Sequence, residues 1–216
     1  MAATAPQLLV LAGVNGAGKS SLGGAILRAS GADYFNPDEV AGRIRGLAPE
    51  LGQREANAVA WREGRRLLER AIAKRLDFAF ETTLGGATMP RLLAQAGALG
   101  YGLRIWYIGL ESVEQHRARV AARVARGGHD IPEADIRRRF EASRRNLIHL
   151  LPMISALRLF DNSIEADPAA GRVPKPRLLL DLADGRSRSL AKAAHIPDWA
   201  RPIVAAALKL GAGGSA

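Results

Sequence analysis

The 216-residue chain contains no cysteine, so it has neither a disulfide framework nor a thiolate metal site. That absence suits a reducing compartment, and a cytoplasmic place is the expectation. Aromatic residues make up only 5% of the chain, too few to interleave with basic positions into a base-stacking surface. Long apolar runs are missing too: the opening "MAATAPQLLVLAG" has no basic n-region, and its apolar stretch is far too short to span a bilayer. Neither a leader nor a membrane helix is expected. Lysine is scarce although the formal net charge is +10, so the positive charge is carried by arginine. Arg117, Arg119, Arg123, Arg126, Arg137, Arg138, Arg139, Arg144 and Arg145 crowd one stretch. Clustered arginine serves anionic small molecules as well as nucleic acid. With so few aromatics, nucleic acid is left without support.

What is present reads as one soluble α/β unit. A hydrophobic content of 48% beside 24% charged residues is that of a globular chain, and its length admits one full core. "PQLLVLAG" reads as a buried strand and "KSSLGGAILRAS" as the helix after it. "PDEVAGRIRG" opens with Pro37 in a first helical turn, and "REANAVAWREGRRLLERAIAKR" is a long amphipathic helix. "DFAFETT", "GLRIWYIGL" and "ALRLFDNS" are further strands, separated by helices near "MPRLLAQAGAL" and "SVEQHRARVAARVA". Alternating strands and helices predict a parallel sheet covered on both faces. "RVARGGHDIPEADIRRRF" pairs two arginine-rich helices around a Gly-Gly and Pro132 hinge, a layout suited to a mobile flap. "ADPAAGRVPKP" reads as a Pro/Gly-containing connector, "RLLLDLADGRSRSLA" as a hairpin turning at Asp184-Gly185, and "DWARPIVAAALKL" as a terminal helix.

The signature G-x-x-x-x-G-K-[ST] is met by Gly13, Gly18, Lys19 and Ser20, between the first strand and its helix. Glycines let the backbone curl so that N–H groups from Gly13 through Asn15, Gly16, Ala17 and Gly18 to Ser21 point at a phosphate. Lys19 reaches the β- and γ-phosphates and Ser20 takes Mg²⁺. ATP or GTP with Mg²⁺ is the cofactor so implied. The fold class is therefore the three-layer αβα P-loop NTPase fold, with a parallel central sheet, a helical arginine-rich lid and a small C-terminal hairpin. The expected division is a core over 1–163 with its lid at about 123–139, a hairpin and helix packed on it over 164–210, and a disordered tail at 211–216.

Paired acids for water activation, an N-K-x-D motif and a transporter signature are all missing, so motors and switches are poorly served. A kinase needs an acceptor-side base, an acid on the metal or substrate side, and cations for the transferring phosphoryl group. Asp38 in "YFNPDEVA" is the best base, since the loose transition state asks mainly for orientation of the hydroxyl. A helix N-terminus also favours carboxylates, so a cap or dipole partner is the alternative reading for Asp38, and Glu39 is a second claimant for that part. Glu81 ends the strand "DFAFE" and is followed by Thr82 and Thr83, placing an acid and two hydroxyls at the carboxyl edge of the sheet, where ligands of open α/β sheets bind. Arg126 and Arg139 are the flap arginines offered to the phosphates. Most of the nine arginines read as a solvated basic helix face. His129 in "GGHD" reads equally as a substrate contact and as a structural lid residue.

The ordered stretches "LAGVNGAGKSS", "FNPDEVA", "FAFETTL", "RVARGGHDIPEADIRRRF" and "LRLFDNS", Leu11 to Ser163, resemble the zeta toxin family of P-loop kinases in its short chromosomal form. The resemblance implies transfer of a nucleoside triphosphate's γ-phosphoryl group to the 3′-hydroxyl of the amino sugar in UDP-N-acetylglucosamine. It implies Lys19 and Ser20 as phosphate and metal ligands, Asp38 as base, Glu81 and Thr82 as sugar-side contacts, and Arg126 with Arg139 as transition-state cations. It sets Asn162, in "DNS", beside the adenine, and brings an antitoxin protein in as a possible partner. The chain departs from the larger toxins in length, in the "NPDE" surround of its aspartate and in its C-terminal hairpin, which bears on the acceptor and on toxicity. Two rivals stand beside that reading: a kinase of another acceptor, such as a nucleic-acid 5′-end, and a nucleotide-dependent binding protein that transfers nothing.

Overall fold

The computed structural model describes residues 5–20, 23, 24, 34–164 and 176–213. Its six strands are β1 (Gln7–Ala12), β2 (Phe78–Thr82), β3 (Gly102–Gly109), β4 (Ala156–Asp161), β5 (Arg177–Ala183) and β6 (Arg186–Leu190). They form one sheet in the order β2-β1-β3-β4-β5-β6. β1 is parallel to β2 and β3, and β3 is parallel to β4. β5 and β6 are antiparallel, so the sheet is mixed. The predicted hairpin is there, turning through Asp184 at φ 51° and Gly185 at φ 72°, left-handed angles that suit an Asp-Gly hairpin turn. Its first strand hydrogen-bonds to β4 and extends the sheet, and Leu179, Leu180 and Leu182 join the main core. Every residue of β6 is exposed, and Arg186 and Arg188 discourage further pairing at this edge.

Six described helices run α1 (Pro37–Leu47), α2 (Gln53–Lys74), α3 (Thr88–Ala98), α4 (Val113–Val124), α5 (Glu133–Leu150) and α6 (Arg201–Gly213). Residues 19, 20, 23 and 24 are helical, which starts the expected helix after the glycine loop. β1 is buried because it has neighbours on both sides: Leu8, Val10, Leu11 and Ala12 are all inaccessible. One sheet face carries the main core, where Leu68 of α2, Leu93 of α3, Leu147 of α5 and Ile203 of α6 meet Leu8, Leu103, Ile105 and Leu157. α1 lies close on α2 because the contact is made of Ala41, Ala56 and Ala60. α6 runs to Gly213, so residues 211–213 end a helix rather than begin a disordered tail; residues 214–216 and most of the "ADPAAGRVPKP" connector lie outside the described residues.

α4 and α5 are the two arginine-rich helices, joined through residues 125–132. They rest on the glycine loop through an apolar cluster of Val14, Val120, Ile131 and Ile136. A polar chain also fixes α5. The Ser143 hydroxyl donates to the Thr83 carbonyl at 2.6 Å, so the Tyr107 hydroxyl, 2.9 Å from it, must be the donor to Ser143. Burial pushes the Tyr107 phenol up to about 12, and it stays a donor throughout the physiological range. Asn146 Nδ2 donates to the carbonyls of Leu84 at 2.6 Å and Gly86 at 3.0 Å. The loop after β2 is thereby held by the lid helix. Ser143→Ala strands a buried phenol and a carbonyl, and is expected to cost about 1–3 kcal/mol in urea denaturation; an unchanged midpoint would show that the chain carries no load.

Candidate active site

The site is built at the carboxyl ends of β1, β2 and β3. Gly13, Gly16 and Gly18 have φ of 142°, 83° and 90°, values open to glycine. Gly13 also passes so close to β3 that a Cβ there would lie 2.2 Å from the Ile108 carbonyl oxygen. The loop is supported on three sides. Gly13 N–H donates to the Thr82 carbonyl at 3.2 Å, Asn162 Nδ2 to the Ala17 carbonyl at 2.9 Å, and His116 Nδ1 lies 2.7 Å from the Asn15 carbonyl. A carbonyl only accepts, so His116 carries its proton on Nδ1.

The register Leu11↔Glu81 and Ala12↔Thr82 sets Glu81 beside the loop. Its carboxylate reaches two residues of the P-loop: Oε1 is 3.5 Å from Lys19 Nζ, and Oε2 accepts from Ser20 Oγ at 2.9 Å. Lys19 and Glu81 are both buried, and a buried ammonium needs such a partner. Lys19 Nζ also donates to the Val14 carbonyl at 3.4 Å. Ser20 Oγ in turn accepts from Asn36 Nδ2 at 3.2 Å. Asn36 caps α1, its Oδ1 accepting from the N–H of Asp38 at 2.9 Å and of Glu39 at 3.4 Å. The capping part considered for Asp38 is thus taken by Asn36, and the Asp38 carboxylate faces the lid. Arg123 Nη1 lies 3.6 Å from Asp38 Oδ2, and His129 Nε2 lies 3.9 Å from Oδ1.

Asp38, Glu81, Thr82, Thr83, Arg139 and Asn15 line one cleft of about 370 Å³, with Phe35, Trp61 and Met89 among its apolar walls and His129 at the lid side. Thr82 and Thr83 turn their hydroxyls to the N–H groups of Leu84 at 3.1 Å and Gly85 at 3.3 Å, which shapes the rim. Arg139 Nη1 donates to Asn15 Oδ1 at 2.7 Å and Nη2 to Asp135 at 3.3 Å, so it ties the lid to the P-loop; burial lowers its pKa from the usual arginine value. Arg126 stands apart, exposed in the turn after α4, while Arg123, one turn earlier, reaches Asp38. Asn162 is buried under the loop at the end of β4, with its carbonyl accepting from Arg119 Nη2 at 2.7 Å. Ser21 lies outside the described residues. Arg123 is the lid arginine one turn from Arg126 that the sequence also offered, while Asn36 and His116 are contributors that the pattern of motifs does not reveal. The Asn-Pro pair ahead of α1 and the four-residue spacing of His116 and Val120 on α4 were the signals available for those two.

The residues present fit a nucleotide phosphate with Mg²⁺. The loop supplies a glycine cradle and an ammonium, and Ser20 and Glu81 supply hard oxygens. No cluster of three or more His, Cys, Asp or Glu able to hold a metal occurs among the described residues. One or two protein oxygens completed by phosphate and water is the way Mg²⁺ is commonly held. No described helix is long and apolar enough to cross a membrane.

A family model described as an AAA domain, AAA_33, matches residues 8–145. The chain is 33% identical over 132 residues, 59% of its length and 88% of the relative's, to an uncharacterized protein of Haemophilus influenzae. The fold is similar to the AvrRxo1-ORF1:-ORF2 complex crystallised with ATP, with TM-score 0.66 and 15% identity over 88% of this chain; the chain spans 61% of the matched one. It is similar to a structure of the PezAT chromosomal toxin-antitoxin system of Streptococcus pneumoniae, with TM-score 0.59 and 12% identity over 99% of this chain and 87% of the other. At these identities the likeness is one of fold alone.

His116 links the site to stability. Burial, then the positive charges of Lys19, Arg119 and Arg144, outweigh its bond to Asn15 and push its pKa down to about 4 from 6.5. The unfolded chain takes up that proton below 6.5 and the folded chain only below about 4, so stability is lost as pH falls through this window. At about 1.4 kcal/mol per pH unit the loss approaches about 3 kcal/mol. Denaturation of the wild type and of His116→Asn, which keeps a donor for Asn15, is expected to diverge between pH 6.5 and pH 4. Parallel curves would assign the acid sensitivity elsewhere.

Proposed function

The chain belongs to the AAA domain family AAA_33, and on that premise we propose that it is a kinase, moving the γ-phosphoryl group of ATP to a small-molecule hydroxyl. The observation that carries this reading is that Asp38 shares one cleft with Glu81, whose carboxylate holds both Lys19 and Ser20. A base for the acceptor therefore stands in the same cleft as the carboxylate that Lys19 and Ser20 hold from the loop side. A module that only bound a nucleotide would have no use for an uncapped carboxylate there.

In this reading the glycine loop binds the phosphate chain through its N–H groups, and Lys19 exchanges Glu81 for the β- and γ-phosphate oxygens. Mg²⁺ held at Ser20, when bound, neutralises charge between those phosphates. Glu81 orients Ser20 and would stand beside a metal held there, which moves it from the sugar side to the metal side. Asp38 accepts the hydroxyl proton while the oxygen bonds to the γ-phosphorus and ADP leaves with the bridging oxygen. Arg139 and Arg123 offset charge on the moving group, with Arg126 a third cation if the lid turn folds inward. Thr82 and Thr83 offer hydroxyls to the acceptor, and the 43% exposed Trp61 offers a flat apolar wall on which a sugar or base ring can lie. Asn162 supports the nucleotide through the loop above it.

The acceptor to try first is the 3′-hydroxyl of UDP-N-acetylglucosamine, and the partner to try first is an antitoxin protein that covers the cleft. The division of the chain into a core, its lid and a C-terminal extension is part of the same reading, as is a cytoplasmic place of action. Incubation with ATP, Mg²⁺ and UDP-N-acetylglucosamine, alongside oligonucleotides and a metabolite pool, is expected to add one phosphate by mass to one acceptor. Lys19→Ala is expected to abolish ATP binding, and Asp38→Asn to spare it while slowing transfer about a hundredfold. ATP binding without transfer to any acceptor would leave the binding-protein reading in possession.

A further inference from the structure

The lid carries a histidine with no part in the scheme above. His129 lines the acceptor cleft, its side chain is 15% exposed, and its Nε2 is buried without a hydrogen-bond partner among the described residues. A buried ring nitrogen left unpartnered is costly, and such an atom in a cleft calls for an explanation. Asp38 Oδ1 stands 3.9 Å away, and once that oxygen carries a proton a small shift makes it a donor to Nε2. The approach is held by Arg123, which donates from Nη2 to the His129 carbonyl at 3.0 Å and turns Nη1 toward Asp38 Oδ2. One guanidinium thus sets both the histidine backbone and the aspartate.

We propose that His129 is the positioning partner of Asp38, its Nε2 lone pair taking up the proton that Asp38 removes from the acceptor hydroxyl. The inference rests on the kinase reading. The hydroxyl O–H bond breaks as the oxygen bonds to the γ-phosphorus, and the bond from that phosphorus to the ADP oxygen breaks with its electron pair leaving on ADP. The proton passes to Asp38 Oδ1 and then to His129 Nε2. That leaves an imidazolium facing a carboxylate, a favourable pair in a half-buried place. Asp38 is thereby restored to its anionic form before the product leaves.

The relay needs a neutral ring at the start. Four charged groups act on it: Asp38 and Arg45 from α1, Arg123 from α4, and the adjacent Asp130. Burial, the largest influence, lowers the pKa below the ordinary value of 6.5, and the arginines add to it against the two aspartates. The lone pair is therefore free at neutral pH and lost on acidification, so turnover is expected to fall as pH drops below 6.5.

Two measurements test the pair. With ATP and UDP-N-acetylglucosamine, His129→Asn keeps an acceptor atom that cannot take a proton in this range. It is expected to lower kcat about ten- to hundredfold, leave KM for ATP within about twofold, and move the acid limb of the pH profile to lower pH. Independently of any acceptor, the His129 imidazole resonance, assigned by its disappearance in His129→Asn, is titrated in the wild type and in Asp38→Asn. Removing the carboxylate, whose charge raises the His129 pKa, is expected to lower it. A His129 titration unmoved by Asp38→Asn, or a His129→Asn chain with wild-type kcat and pH profile, overturns the pairing. A wild type that phosphorylates no acceptor defeats the kinase reading instead, and the titration still decides whether the two side chains are coupled.

Discussion

The bond of Glu81 to Lys19 and Ser20 is the contact on which the site depends. A lysine ammonium sunk to the floor of a glycine loop cannot stay charged without a partner, because removing it from water costs several kcal/mol. Before a nucleotide arrives that partner is the Glu81 carboxylate, which stands where phosphate oxygens are to come. Its position follows from sheet register alone: one residue of slip between β1 and β2 would turn Glu81 to the opposite face and leave Lys19 buried and unpaired. The strand pairing and the phosphate loop therefore specify one another, and Asn36 carries that constraint into α1, where Asp38 follows two residues after the side chain that donates to Ser20.

α5 plays a corresponding part on the lid. Its inner face carries Ile136 into the apolar cluster with Val14, Ser143 into the Tyr107–Thr83 chain, and Arg139 onto Asn15. These residues are spaced by three and four, the interval that keeps side chains on one helical face. One helix thereby touches the phosphate loop, the sheet and the rim of the acceptor cleft. A layout that reads in sequence as a flap is docked here on the loop it would close, with two arginines already turned inward. Any entry of a nucleotide has to compete with the Arg139–Asn15 bond for the loop's polar groups.

Much of this was legible in the chain of letters. "QLLVLAG" before "GKS" could only be a buried strand feeding a phosphate loop, and the Asp184-Gly185 pair between two strand patterns could only turn a hairpin. The placement of that hairpin was not legible, because whether β5 joins β4 depends on which edge of the sheet is left open. The lid arginines show the same limit. Arg123 and Arg126 differ by three residues and would share a face if α4 continued, but the helix stops at Val124 and carries Arg126 out into the turn. A helix end falling between them decides the matter, and boundaries are what a hydrophobic period specifies least. Glu81 was legible as an acid at the sheet edge. Whether it served the metal or the acceptor depended on its neighbour across the sheet.

The charge of +10 reads differently once the arginines are placed. Arg117 and Arg137 pair with Glu133, Arg138 and Arg139 with Asp135, Arg144 with Glu141, and Arg123 with Asp38. Such pairs on an open helix face add little stability, yet they weaken the lid's effective field by interleaving both signs. A surface of that kind does not attract a long polyanion in the way an unbroken basic stripe does. What it leaves for an anion is local: a guanidinium at Asn15, another at Asp38, and the ammonium between them. On the proposed kinase reading those are the cations offered to a moving phosphoryl group, while the other paired arginines lie in interleaved pairs on the lid.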